Sequence, residues 1–256
     1  MKKVILLSVS ILVFWLLAGC KEGNSSAKGQ SGSDQTTMSS EEKGKVKNVS
    51  EASKIEVSIT GTISHTEHTP GQSGTVTFSR FPASVAEFKQ VREQIGGEPQ
   101  GAVALQIMAY EMFRRNREIG EECIKLNSTT VNVNLPLSRL KELFGNDVNY
   151  AKPYQIAAFL KDAAAENGYN PSKPYMVEIR VHAVNAYQYN NAYQATQLYL
   201  EVLTKGKDKG AESVEVVKTF KPGEPGDGKY FIVEKCSGLY SSVKNISYTE
   251  TFNGLD

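Results

Sequence analysis

Excess charge of one sign, histidine and pairable cysteine are all scarce in this sequence of 256 residues. Its 29 lysines and arginines stand against 28 aspartates and glutamates. A balance this even lacks the basic footprint on which nucleic-acid recognition and anionic-lipid binding depend. No nucleic-acid partner is therefore expected. Three histidines leave little material for imidazole chemistry, and three cysteines leave at most one pair once the first is committed elsewhere. The one long apolar run, Val4 to Leu17, is closed by Lys21 and Glu22, short of the roughly 20 residues a spanning helix needs. What remains is ordinary: 40% hydrophobic and 22% charged residues describe a globular chain with room for one or two domains.

The first nineteen residues have the zones of a secretory signal: Lys2 and Lys3, the apolar run, then small Ala18 and Gly19. Leu17-Ala18-Gly19-Cys20 resembles the lipobox of bacterial lipoproteins. That resemblance implies cleavage before Cys20 and lipid on its thiol, and hence a membrane partner reached through Cys20. The expected location is extracytoplasmic, on the cell membrane or outer membrane. One acyl chain binds marginally, whereas two or three hold stably at about 0.8 kcal/mol per buried methylene. Residues 20–53 are polar and almost without apolar side chains, which predicts a disordered tether averaging roughly 30 Å end to end.

The remainder, residues 54–256, reads as one α+β domain. Ile55, Val57, Ile59 and Ile63 alternate with Glu56, Ser58 and Thr60 as in a half-buried strand, and Thr75 to Phe78 can return as its hairpin partner. Ser84-Val85-Ala86-Glu87 is a capping box ahead of a helix that Gly96-Gly97 ends. Pro99 suits the first position of a second helix. Its run Ala102 to Phe113 is apolar nearly all round, which places it centrally in the core. The pattern carries that helix on through Arg114 to Cys123, with Arg114–Glu118 and Arg117–Glu121 pairing at i,i+4. A short strand at Thr130 to Val133, a helix carrying Leu137, Leu140 and Leu143, and another over Pro153 to Ala164 follow. Then Val177–Ala183, Leu198–Val202, Val214–Phe220 and Tyr230–Val233 give four or more strands of an antiparallel meander. The expectation is a helix-rich first half packed on a C-terminal sheet.

Motifs that carry chemistry are few. His65 and His68 have ligand chemistry but i,i+3 spacing beside a turn, not the i,i+4 of helical metalloprotease motifs. A solvated loop is the better reading, and no metal is expected. His182 lies on the polar face of a strand with no serine or cysteine patterned to use it. Gly223 to Lys229 has the glycine spacing of a phosphate-binding loop, yet Tyr230 replaces the magnesium-binding hydroxyl and a strand follows in place of a helix. No cofactor and no catalytic residue is therefore assigned. Cys123 and Cys236 form a disulfide, which export permits, stay as two buried thiols, or leave one reactive cysteine. The segment most open to binding is Tyr187-Gln188-Tyr189-Asn190-Asn191-Ala192-Tyr193-Gln194. Its tyrosines and amides suit a glycan, peptidoglycan or protein face, with Tyr187, Tyr189 and Tyr193 as the candidate surface.

Phe81-Pro82-Ala83-Ser84-Val85-Ala86-Glu87-Phe88, the stretch from Glu98 through Leu105 to Cys123, and Tyr169-Asn170-Pro171 resemble an uncharacterised domain family of secreted and lipid-anchored gut-bacterial proteins. The similarity runs from about Phe81 to Ser247. It implies a single cooperative domain and no particular activity. The expected function is a lipid-anchored binding or interaction module. The alternative is an extracytoplasmic hydrolase of envelope or dietary polymers.

Overall fold

The computed structural model describes residues 54–256. The leader, Cys20 and the tether lie outside the described residues. Two strands open the domain, β1 (Val57–Gly61) and β2 (Ser73–Phe78), followed by helices α1 (Val85–Ile95), α2 (Pro99–Arg115), α3 (Arg117–Asn127) and α4 (Asn134–Leu143). Then come β3 (Tyr175–Val181), β4 (Gln188–Asn190), β5 (Ala195–Leu203), β6 (Ala211–Val217), β7 (Ile232–Lys235) and the single turn α5 (Ser237–Tyr240). All pairings between these strands are antiparallel, in the order β1-β2-β3-β5-β6-β7, with β4 on β5. The class is α+β. The helices precede the sheet only in part, because β2 pairs with β3 across the whole helical insertion, from Ser73↔Arg180 to Phe78↔Tyr175.

Helix α2 organises the rest. Every residue from Pro99 to Phe113 is buried, so this helix has no solvent face. It touches α1, α3 and α4 on one side and β2, β3, β6 and β7 on the other. Two glycines permit the close approach. A Cβ on Gly101 would lie 1.8 Å from the Ile95 carbonyl oxygen, and one on Gly120 would lie 2.1 Å from the Phe113 backbone. Some polar atoms carried inward find partners: Asn127 Nδ2 donates to Ala102 O at 2.9 Å and to Gln106 Oε1 at 2.8 Å. At the far end the fully buried Glu111 carboxylate accepts from Arg114 Nη2 at 2.6 Å and Arg115 Nε at 2.8 Å.

Three local expectations change. The second helix does not run on to Cys123, because Asn116 turns extended (φ −147°) and its Oδ1 caps a new helix by accepting from Ile119 N–H at 3.2 Å. The arginines before the break therefore fold back onto Glu111. Residues 130–133 form a turn leading into α4; Thr129 N–H instead meets Val233 O at 2.9 Å, alongside a parallel bridge from Ser128 to Val233. Residues 153–164 yield only a short 3-10 turn at Ala157–Phe159. Gln155 to Leu160 are buried on every side, Leu160 is extended, and Lys161 N–H is taken by Met176 O at 2.8 Å. Local turns and this one bond to β3 replace the helix there. The capping Ser84 is as expected, its Oγ accepting from Glu87 N–H at 3.2 Å.

The α2–α3 contact predicts a large effect from a small change. Gly120→Ala is expected to cost about 3 kcal/mol or more through overpacking, read as a lower urea midpoint at unchanged slope. An unchanged midpoint would contradict so close an approach.

Candidate functional site

Strand register builds the site. Tyr189 on β4 sits opposite Thr196 on β5. One step beyond the pairs Gln197↔Val217 and Val217↔Ile232 come Thr196, Lys218 and Phe231. Alternation puts this row on the face shared by Leu198, Val216 and Val233, which are buried in the core. The core-facing side of the sheet thus extends one row past its helical cover. That cover ends at the turn between α1 and α2, where Phe231 N–H donates to Gly96 O at 2.8 Å.

The uncovered row is the wall of a cleft of about 520 Å³. Tyr189, 60% exposed, and Phe220, 80% exposed, are its rings. Phe220 lies over Gly228, whose left-handed φ of +62° suits glycine and where a Cβ would come within 2.0 Å of the ring. Phe231 is the floor, with His65 edge-on at 5.0 Å between centroids and Lys218 Nζ 5.4 Å from its centroid. His65 Nε2 is 3.0 Å from Glu98 Oε2, which ties the β1–β2 connection to the N-cap of α2. Thr66, Gln194 and Thr196 add hydroxyl and amide groups to the lining. Tyr189 Oη donates to Gln194 Oε1 at 3.2 Å. Flat rings beside neutral donors and acceptors suit a ligand that is apolar on one face and hydroxylated at its edges.

The three candidate tyrosines do not share this surface. Tyr193 is 3% exposed and packs on Val217 and Ile232. Its hydroxyl donates to Glu234 Oε2 at 2.6 Å, and Thr129 Oγ1 donates to the same oxygen at 2.8 Å. Burial, followed by the Glu234 hydrogen bond, pushes its phenol up to about 12. Tyr187 is half-buried against the core, edge-on to His68 at 5.7 Å, and burial pushes it up to about 12 as well. Only Tyr189 lines the cleft. Tyr193 instead belongs to an internal lock. Beside it Glu224 accepts from Thr130 N–H at 2.9 Å and Oγ1 at 2.8 Å, which holds the 218–231 loop from behind.

His65 and His68 separate, the latter donating from Nε2 to His182 O at 2.8 Å. Among the described residues no group of three or more candidate ligands could hold a metal. The Gly223–Lys229 loop turns its Glu224 side chain inward, and Arg92 Nη2 grips its Pro225 carbonyl at 2.8 Å. Cys123 and Cys236 are free and buried, so of the arrangements open in the sequence the structure has separate buried thiols. The Cys236 sulfur is occupied by the Tyr110 hydroxyl at 3.0 Å. Burial pushes both thiols up to about 12.

Lys218, Phe220 and Phe231 fall in no motif, and the spacing places His65 only in a loop. Phe220 had a local signal, an aromatic ring directly ahead of Lys221-Pro222-Gly223. The others gain meaning only through register. The buried thiols yield a test here: iodoacetamide is expected to leave both unmodified in the folded protein at neutral pH and to alkylate both in urea, with no mass change on reduction. Alkylation of the folded protein would contradict their burial.

Comparison with known proteins adds one finding. Residues 80–247 match the model of a domain of unknown function, DUF6935. No curated protein and no solved structure matches the chain. The matched region takes in all of the helices and the strands β3 to β7, and the chain belongs to the DUF6935 family.

Proposed function

We propose that this chain is a lipid-anchored binding module that presents its aromatic cleft to a glycan outside the cytoplasm. The observation that carries the reading is the pair of exposed rings, Tyr189 and Phe220, beside a cleft of about 520 Å³. Rings left in water at a rim, with hydroxyl and amide groups between them, match a sugar's apolar face and polar edge. Both are positioned, Tyr189 by β-pairing and Phe220 by its seat on Gly228. The lining includes no carboxylate among the described residues, which favours binding over glycoside hydrolysis, a reaction that draws on paired acids.

The lipid anchor rests on Leu17-Ala18-Gly19-Cys20. Among the described residues no helix is long and apolar enough to cross a membrane.

Two experiments test the two halves of this reading. On an array of envelope and plant-wall oligosaccharides, the Tyr189→Ala/Phe220→Ala double variant is expected to lose about tenfold or more in affinity, roughly 1.4 kcal/mol, while its circular dichroism and urea midpoint stay as in the parent. Retained affinity, or no glycan bound by the parent, overturns the cleft. Cys20→Ala is expected to move the protein to the soluble fraction and to abolish palmitate labelling. Unchanged labelling would sink the anchor.

A further inference from the structure

We infer that the glycan is acidic, with a carboxylate seated against Lys218; this rests on the cleft being the glycan site. Ion pairing around the cleft singles out this residue. Lys221 Nζ lies 4.0 Å from Glu224 Oε1, Lys229 is bonded to Glu93, and Lys235 Nζ is 3.0 Å from Glu215 Oε2. Arg92 stacks 4.1 Å over the Tyr230 ring and bonds the Pro225 carbonyl. The nearby acids are committed as well: Glu98 to His65, Glu224 to Thr130, and Glu234 to Tyr193 and Thr129.

Lys218 stands apart. It is half-buried, lines the cleft beside the Phe231 ring, and has no ion pair among the described residues. A lysine drawn partly out of water loses hydration that a ring face replaces only in part. A carboxylate arriving in the cleft supplies the missing counter-charge, and it does so where water is already partly excluded, so the pair is worth more than an exposed one.

Geometry then selects the ligand class. Lys218 occupies the same cross-strand row as Tyr189, with Thr196 between them. Adjacent strands are about 4.8 Å apart, so a pyranose on Tyr189 and Phe220 has its substituents within reach of the ammonium. A hexuronic acid, a pyranose whose carboxylate stands equatorially at C5 on the ring edge, meets this demand without an exocyclic side chain to place. Thr66, Gln194 and Thr196 remain for the ring hydroxyls. The occupant is therefore a uronate-bearing oligosaccharide, and a sulfated sugar is the competing anion to be excluded by experiment.

Calorimetric titration of the protein with tetragalacturonate, its fully methyl-esterified form and a sulfated neutral tetrasaccharide tests this. The parent is expected to bind the acid about tenfold or more tightly than the ester and to lose that preference as salt rises. Lys218→Met, which keeps an apolar stem, is expected to equalise acid and ester by weakening only the acid, while Lys218→Arg keeps the preference. If the ester binds as well as the acid, or if Lys218→Met retains the preference, the inference fails and the glycan reading stands. Tighter binding of the sulfated sugar than of tetragalacturonate also overturns the uronate assignment. If the Tyr189→Ala/Phe220→Ala protein binds acid and ester as the parent does, the glycan reading itself fails.

Discussion

Helix α2 has no face left for water, and the rest of the domain follows from covering it. A helix buried from Pro99 to Phe113 needs apolar surface all round, and neither a sheet nor a helical layer alone provides that. The chain answers by splitting its sheet. β1 and β2 come first, the helices are inserted, and β3 returns to pair with β2. This places the sheet under α2 while α1, α3 and α4 close over it. Helix-to-helix distances are then set by Gly101 and Gly120, where no side chain fits.

The same constraint locates the cleft. A helix of 17 residues spans about 25 Å, and where it ends the core face of the sheet is left uncovered. At that end Glu98 caps nothing with its own side chain and instead holds His65 across the opening. The row Tyr189, Thr196, Lys218 and Phe231 runs out from beneath this cover: Phe231 stays buried as core, while Thr196, Lys218 and Tyr189 reach solvent beyond it. Behind it, Glu224 and Glu234 bind Thr130, Thr129 and Tyr193. These bonds fix the β4–β5 hairpin and the loop bearing Phe220, so the rings project from a rigid base.

Periodicity made much of this legible. The apolar run Ala102 to Phe113 marks a central helix from residue spacing alone, and alternation marks the strands of the second half, because both signals are local. Asn116 is a weaker case. Its role as a cap competes with an unbroken helical pattern on both sides, and Arg114 and Arg115 pair backward with Glu111 at i+3 and i+4, where the spacing equally offers Glu118 beyond the break. Residues 153–164 depart differently: their apolar spacing fits a helix, but they turn locally through Leu160 and then give the Lys161 N–H to Met176 O on β3. The site was legible only in Tyr189. Tyr193, four residues on from the exposed Tyr189, turns inward because Glu234 waits for its hydroxyl, and Lys218 and Phe231 join Tyr189 through pairings among four strands that spacing within one strand does not encode.

The central claim is that the chemistry open to a ligand lies where the sheet outruns its helical cover. Amide chemical-shift mapping of the isotopically labelled protein, titrated with a mixture of acidic and neutral wall oligosaccharides, tests it most directly. The account predicts shifts confined to residues 64–68, 188–196 and 218–231. Shifts centred on α4 and the 145–150 turn, or none across the mixture, would contradict it.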